Sequence, residues 1–468
     1  LTPEAGHAEQ EPEEWVRAAF ETVREIMDTG AEPEDIAAVG LSGQMHGLVP
    51  LDSVGGVLRP AILWCDQRTV AECEWIERTI GAERLVERVS NPALAGFTAP
   101  KILWMKNREP ELFDRMTRFL LPKDYVRYRL TGEMITEISD AAGTLLVDVE
   151  KGEWAHDIAN ELGIPADVFP EIRGSSDICG KVTAEAARAT GLAEGTPVVG
   201  GGADNTCAAV GAGIVEPGVV SSSIGSSGVV FAYSDSHLVD PGTRLHTFNH
   251  SVPGAWYLMG VMLSAGLSFK WFRDTFGGGE LAAERAGGPD AYEALSDAAA
   301  GAPAGCEGLL FLPYLNGERT PHKDPYARGV FFGITPRHGR GHMVRAVMEG
   351  IVYGLKDSLD IMESLGVEAA QVRATGGGGA NAFWRQMQAD VFGRPVVKVS
   401  HDEGPAFGAA LLAGAGVGLF GGVAEASRRT VRVTEESTPR KGMTETYAGA
   451  HKRFGELYAA LKDSFRRK

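Results

Sequence analysis

The chain reads as an α/β protein made of two related units with a ligand cleft between them. Two observations carry that reading, and a third permits it. The short apolar run Pro197-Val198-Val199 opens onto Gly200-Gly201-Gly202-Ala203-Asp204-Asn205 and then a helix-like stretch. The same order of strand, glycine turn and helix returns at 371–392, where Gln371–Thr375 runs into Gly376-Gly377-Gly378-Gly379-Ala380-Asn381. The length of 468 residues is enough for two domains, each with its own core. A doubled strand-turn-helix unit predicts a ligand held between the copies.

The elements follow from local pattern. Trp15, Ala19, Val23 and Ile26/Met27 recur at helical spacing and stop at Gly30. Ile36–Leu41 reads as a strand, Ser42–His46 as a loop and Gly47–Leu51 as a second strand. Gly55-Gly56 turns the chain into a strand at Val57–Trp64. Helices are expected at Arg68–Thr79, Pro110–Arg118 and Val182–Thr190, with a strand at Leu145–Val149. From about residue 215 the pattern restarts, which divides the chain into 1–214 and 215–468. Val219–Ser223, Gly228–Tyr233 and Trp256–Val261 read as successive strands, followed by a helix at Ser264–Phe276. Met343–Leu365 and Asn381–Phe392 read as helices, Val396–Val399 as a last strand and Pro405–Gly416 as a small-residue helix. Gly277–Gly279 reads as a loop, and Arg440–Lys468 as a solvated, charged helix.

Bulk properties exclude several functions. The net charge of −17 would repel a nucleic-acid backbone, yet it leaves room for ATP held by backbone N–H groups and Mg²⁺. No apolar run approaches the ~18 residues of a membrane span, and the start lacks a signal-peptide pattern. Five scattered cysteines, with no CxxC pair, read as reduced thiols of a cytoplasmic protein. The nearest approach to a P-loop, Gly174–Lys181, has five residues between its glycines and Val182 in place of Ser or Thr. No glycine cluster reads GxGxxG at a strand–helix junction, and HExxH and GxSxG are missing.

What remains is chemistry at glycine turns. Asp204 beside glycines can take a proton from an alcohol, and Ile224-Gly225-Ser226-Ser227-Gly228 offers a phosphate-sized nest of N–H groups. Together they suggest phosphoryl transfer to a hydroxyl. Asp204 can equally be a helix N-cap, Ser226 and Ser227 can complete a type I′ or related hairpin turn, and Lys101 and Arg319 can be structural salt-bridge partners.

Several segments resemble the FGGY carbohydrate kinases of the actin-like ATPase superfamily. These are Gly96-Phe97-Thr98-Ala99-Pro100-Lys101-Ile102-Leu103-Trp104, Gly329-Val330-Phe331-Phe332-Gly333-Ile334 and Phe311-Leu312-Pro313-Tyr314-Leu315-Asn316-Gly317-Glu318-Arg319-Thr320-Pro321. Ser42-Gly43-Gln44-Met45-His46-Gly47 and Leu121-Pro122-Lys123-Asp124-Tyr125 resemble the D-xylulose branch of that family. The resemblance implies two ribonuclease-H-like domains, sugar on the first and ATP on the second, and transfer of phosphate to D-xylulose. It implies Asp204 as catalytic base and Met45, His46 and Asn205 as sugar contacts. Gly225, Ser226 and Ser227 would meet the transferred phosphate, and Gly377, Gly378 and Asn381 the nucleotide. Kinases of another ketose or polyol, and a sugar- or nucleotide-binding protein without catalysis, are the alternatives; a homodimer would suit the family. Family members carry an N-terminal β-hairpin with Asp-x-Gly-Thr, whose Asp helps hold Mg²⁺. Leu1 matches a position after that hairpin, so the resemblance implies an open sheet edge in the first domain and leaves the metal ligand unassigned.

Overall fold

The computed structural model describes residues 1–400 and 404–466. The second unit is organised by one seven-stranded sheet. Its strands lie in the order His246–Asn249, Trp256–Met262, Gly228–Ser234, Gly218–Ile224, Ala369–Thr375, Val396–Val399 and Val433–Ser437. Gly218–Ile224, Ala369–Thr375 and Val396–Val399 run parallel to one another, and the outer strands are antiparallel. The long helix Arg340–Ser364 covers one face, where Val347, Ile351 and Leu355 meet Val230 and Ala232.

Side chains alternate across a strand, and Gly228–Ser234 uses both of its faces. Val230 and Ala232 enter the second unit's core, while Val229, Phe231 and Tyr233 pack with Ala209, Ala212 and Ile214 of the first unit. A further shared cluster joins Cys207 and Val210 to Ala409, Leu412 and Ala413. There the helices Asp204–Ala212 and Pro405–Gly416 touch backbone to backbone: a Cβ on Gly408 would lie 1.8 Å from the carbonyl oxygen of Cys207.

The first unit is built differently, from two-stranded pieces. Val49–Leu51 pairs with Arg118–Leu120, Ile135–Glu137 with Glu171–Arg173, and Ile178–Lys181 with Pro197–Val199. The strand expected at Ile36–Leu41 is an extended stretch with one bridge, Val39 to Val198, and the pairing moves on to Ser42–Gly43, which was expected as loop. Gly40 lies beneath helix Pro405–Gly416, so a Cβ there would fall 2.1 Å from the Ala409 oxygen. Of Val57–Trp64 only Ala61–Ile62 enters a ladder, with Glu9–Gln10. Gly278 opens the helix Gly278–Arg285, so the Gly277–Gly279 stretch is a helix start and not a loop. The C-terminal helix spans Met443–Phe465; residues 467 and 468 of the expected 440–468 helix lie outside the described residues. Among the described residues no helix is long and apolar enough to cross a membrane.

Candidate active site

Asp204 is delivered by the parallel pair Ser42–Gly43 and Gly202–Ala203, and it is the first residue of helix Asp204–Ala212. Two of its glycines are required by the packing of the protein itself. Gly201 has φ +75°, and Cβ atoms on Gly200 and Gly201 would fall 2.6 Å and 2.2 Å from the oxygens of Gly174 and Leu41. Asp204 makes no N-cap bond to the helix interior. Its Oδ1 accepts from the N–H of Asn205 at 2.8 Å and from the Asn205 amide at 3.1 Å, and among the described residues Oδ2 has no partner. Partial burial pushes its pKa up, and the Asn205 N–H opposes that.

Beneath this turn lies a cluster of buried charges. Asp124 accepts from Lys123 at 2.6 Å, Arg127 at 2.9 Å and the Thr136 hydroxyl at 2.7 Å. Lys123 also stands 3.6 Å from Glu137 and 3.7 Å from Asp140. Arg127 donates to the Gly200 carbonyl at 2.7 Å, and the Ser139 hydroxyl accepts the Ala203 N–H at 3.1 Å. These bonds fix the backbone immediately before Asp204. Burial, with Asp124, Glu137 and Asp204 nearby, raises the pKa of Asp140 well above the carboxylate range, and among the described residues neither of its oxygens has a hydrogen-bond partner.

Met45 and His46 complete this side. The Met45 sulfur sits 3.8 Å from both the Asn205 amide nitrogen and the Tyr257 hydroxyl. His46 has φ +70°, and its Nδ1–H donates to the Gly143 carbonyl at 2.6 Å. Its own carbonyl accepts from Lys101 Nζ at 2.7 Å and the Thr98 hydroxyl at 3.0 Å. Lys101 is therefore a clamp on the His46 turn, not a salt-bridge partner. Burial, with Lys101 and Arg319 nearby, lowers the His46 pKa to about 3, against the Gly143 bond. The imidazole is neutral at pH 7, and Nε2 is left as an acceptor. Gly143 is required for this packing, because a Cβ would fall 2.7 Å from His46 Nδ1. Phe97 stands edge-on to His46 at 4.8 Å between centroids, and Tyr257 stacks on Phe231 at 4.4 Å.

The opposing wall comes from the second unit. Gly225, Ser226 and Ser227 are exposed at the turn of a hairpin in which Ile224 pairs with Gly228. Gly225 N–H donates to the Ser227 carbonyl at 3.0 Å, and no residue of the turn has positive φ, which excludes type I′. The N–H groups of Ser226 and Ser227 have no partner among the described residues. Gly376–Ala380 forms a single helical turn, and the Asn381 side chain caps the next helix by accepting the Trp384 N–H at 2.9 Å. Gly378 lies against the hairpin, with a Cβ there reaching 2.5 Å from Ile224 Cδ1. Gly225, Ser226, Gly377, Gly378 and Asn381 line one pocket of about 320 Å³ with Tyr292 and Trp384. Asn205 and Gly376 line another of about 270 Å³, which links the two walls. A third, apolar groove of about 740 Å³ runs from Trp15 and Phe20 along Val39–Gly43 to Asp204.

Comparison with known proteins decides the family. The FGGY family of carbohydrate kinases matches through its N-terminal domain over residues 1–211 and its C-terminal domain over 220–417. The chain belongs to the FGGY family of carbohydrate kinases. It is 42% identical to a xylulose kinase of Bacillus subtilis (strain 168) over 464 residues, covering 99% of this chain and 91% of that protein. It is also 42% identical to a xylulose kinase of Escherichia coli (strain K12), over 87% of this chain and 81% of that one. A xylulose kinase structure from Rhodospirillum rubrum superposes with TM-score 0.91 at 31% identity, covering all of this chain and 93% of the other. As an FGGY kinase the chain is a phosphotransferase with a sugar alcohol group as acceptor, on a two-domain actin-like α/β fold. Tyr257 and Phe97 pack against Met45 and His46 although the sequence reading assigned them no site role, because only tertiary pairing brings them there.

Proposed function

We propose that this chain transfers the terminal phosphate of ATP to D-xylulose, giving D-xylulose 5-phosphate and ADP. The observation that carries the reading is the half-buried Asp204 carboxylate, one oxygen unpartnered, on a groove wall beside Asn205, which touches Met45. The similarity to xylulose kinases from several bacteria supports the choice of sugar.

We assign Asp204 Oδ2 as the group that accepts the proton of the acceptor hydroxyl. Phosphoryl transfer needs positioning and charge neutralisation more than covalent help, so an ordinary carboxylate suffices. Asn205 fixes the carboxylate's rotamer. His46 Nε2 accepts a sugar O–H, and Met45 with Tyr257 gives the carbon skeleton an apolar seat. The free N–H groups of Ser226 and Ser227 would donate to the transferred phosphate, while Gly377, Gly378 and Asn381 would bound the nucleotide. No group of three His, Cys, Asp or Glu among the described residues could hold a metal. Magnesium would ride on the nucleotide phosphates, with the serine hydroxyls of the hairpin as protein donors, and would neutralise phosphate charge. We divide the work at residue 214, sugar on 1–214 and nucleotide on 215–468.

The test is coupled ADP release with Mg-ATP and D-xylulose, beside ribulose, L-xylulose and glycerol. Turnover with D-xylulose at the highest kcat/KM supports the reading. Higher kcat/KM with another acceptor would reassign the substrate. Binding of D-xylulose and ADP with no turnover would make the chain a binding protein.

A further inference from the structure

We infer that Ser139 is a positioning residue for phosphoryl transfer: its buried hydroxyl holds the chain on both sides of Asp204 and leaves the carboxylate free for the acceptor. The inference rests on the reading of Asp204 as the base. Its starting point is an acid that opens a helix without capping it.

The first N–H groups of a helix have no partner within it, and an acid placed there commonly takes them. Asp204 takes only that of Asn205, at 2.8 Å, and makes no cap bond deeper in its helix. Ser139, on the short helix Ile138–Ala141, fastens the turn instead. Its Oγ accepts the Ala203 N–H at 3.1 Å, one residue before Asp204. The same oxygen lies 3.1 Å from the Thr206 hydroxyl, two residues after Asp204. That hydroxyl also stands 3.0 Å from the Ala203 carbonyl oxygen, which closes the grip around the acid.

The protons run one way, because a carboxylate only accepts. Ser139 donates its own proton to Glu137 Oε1 at 2.9 Å, which leaves its lone pairs for Ala203 and Thr206. The Ser251 hydroxyl donates to Thr206 Oγ1 at 2.7 Å. Glu137 is held in turn by the N–H groups of Ser139 and Asp140, both at 2.9 Å, and by the Ser175 hydroxyl at 2.7 Å. All these side chains are buried, so solvent does not compete for the bonds. Gly202 makes the room: a Cβ there would fall 2.7 Å from Ser251 Oγ and 3.1 Å from Thr206 Oγ1. Ser251 follows strand His246–Asn249 of the second unit, so both units fix the turn that carries Asp204. Without the Ser139 hydroxyl the Ala203 N–H is buried with no acceptor, and the turn shifts to relieve it. His46 keeps its own supports, Gly143 and Lys101, so turnover suffers more than sugar binding.

The experiment compares Ser139→Ala with Ser175→Ala in steady-state kinetics with Mg-ATP and D-xylulose, calorimetric binding of D-xylulose, and thermal unfolding. Ser175→Ala is the control: it removes a buried hydroxyl from the same Glu137 carboxylate and no bond to Ala203 or Thr206. We expect Ser139→Ala to lower kcat by roughly 10- to 100-fold while Kd for D-xylulose changes by less than about threefold. Ser175→Ala should lower kcat by less than about threefold at a similar loss of Tm. In an Asp204→Asn background the effect of Ser139→Ala on kcat should shrink to less than about threefold, since the base it positions is gone. Equal falls in kcat from the two alanine variants, or an undiminished fall in the Asp204→Asn background, overturn the inference and leave Ser139 a part of the scaffold. If Ser139→Ala does not fold, Thr206→Val takes its place, and an unchanged kcat there overturns the inference. Asp204→Asn keeping a tenth or more of the turnover overturns the reading of the base instead.

Discussion

The two units hold their ligand turns by different means. In the second, the hairpin Gly225–Ser227 and the turn Gly376–Ala380 grow from adjacent strands of a seven-stranded sheet with a large apolar core. In the first, Asp204 and His46 stand on short segments whose positions are set by buried ions and carbonyl clamps: Lys123, Asp124 and Arg127 below Gly200, and Lys101 on His46. Apolar packing gives ways to yield when one methyl group is lost. A buried ion cluster yields badly, because each charge left alone keeps its full desolvation cost.

The largest effect should come from chemistry itself. Asp204→Asn keeps the shape and the Asn205 contacts but loses the base, and kcat should fall by roughly 10²- to 10⁴-fold while D-xylulose still binds. A variant keeping a tenth of the turnover would remove Asp204 from that role. Next comes the contrast between the units. Asp124→Asn strands Lys123 and Arg127 and should cost about 3–5 kcal/mol in urea unfolding. Ile351→Val in the second unit's core should cost only about 0.5–1.5 kcal/mol. Equal losses would erase the distinction drawn between the units. Gly378→Ala drives a Cβ into Ile224, which should cost about 1–3 kcal/mol and raise KM for ATP more than for sugar. Adding Ile224→Val should recover part of both; no recovery would put the strain elsewhere.

The smallest expected effect is an absence of change. The His46 imidazole should stay neutral, with the proton on Nδ1, when followed by ¹⁵N NMR from pH 8 to pH 5. Its folded pKa of about 3 lies below the ordinary 6.5, so the unfolded chain takes up the proton first. Its contribution to stability is therefore lost as pH falls from 6.5 towards 3. A midpoint near 6.5 would break the clamp argument for this loop.

The same contrast explains what sequence could reveal. Strand Val396–Val399 and helix Pro405–Gly416 agree with expectation residue for residue, and Val219–Ser223 and Trp256–Val261 to within a residue at each end. Those segments are long or strongly patterned, and their burial follows from period. In the first unit Ile36–Leu41 carries strand-forming residues with a single bridge, and Val57–Trp64 enters a ladder only at Ala61–Ile62, so composition overstated the pairing. The site divides likewise. Asp204, Asn205, Met45 and His46 were marked by local motif, and the structure brings them together. The hold of Lys101 on a carbonyl 55 positions away is a product of tertiary contact. The glycines before Asp204 were visible, but their purpose was not, because Leu41 and Gly174 are remote in sequence.

Strand Gly228–Ser234 has one further consequence. Because Phe231 and Tyr233 fill the neighbouring unit while Val230 and Ala232 fill their own, a cut near residue 215 would not release two self-sufficient pieces. The N-terminal fragment would lose part of its interior, and the C-terminal fragment would expose an aromatic face. Any opening and closing of the cleft must therefore pivot on this strand and on the tight crossing at Gly408, as two pages turn on one spine.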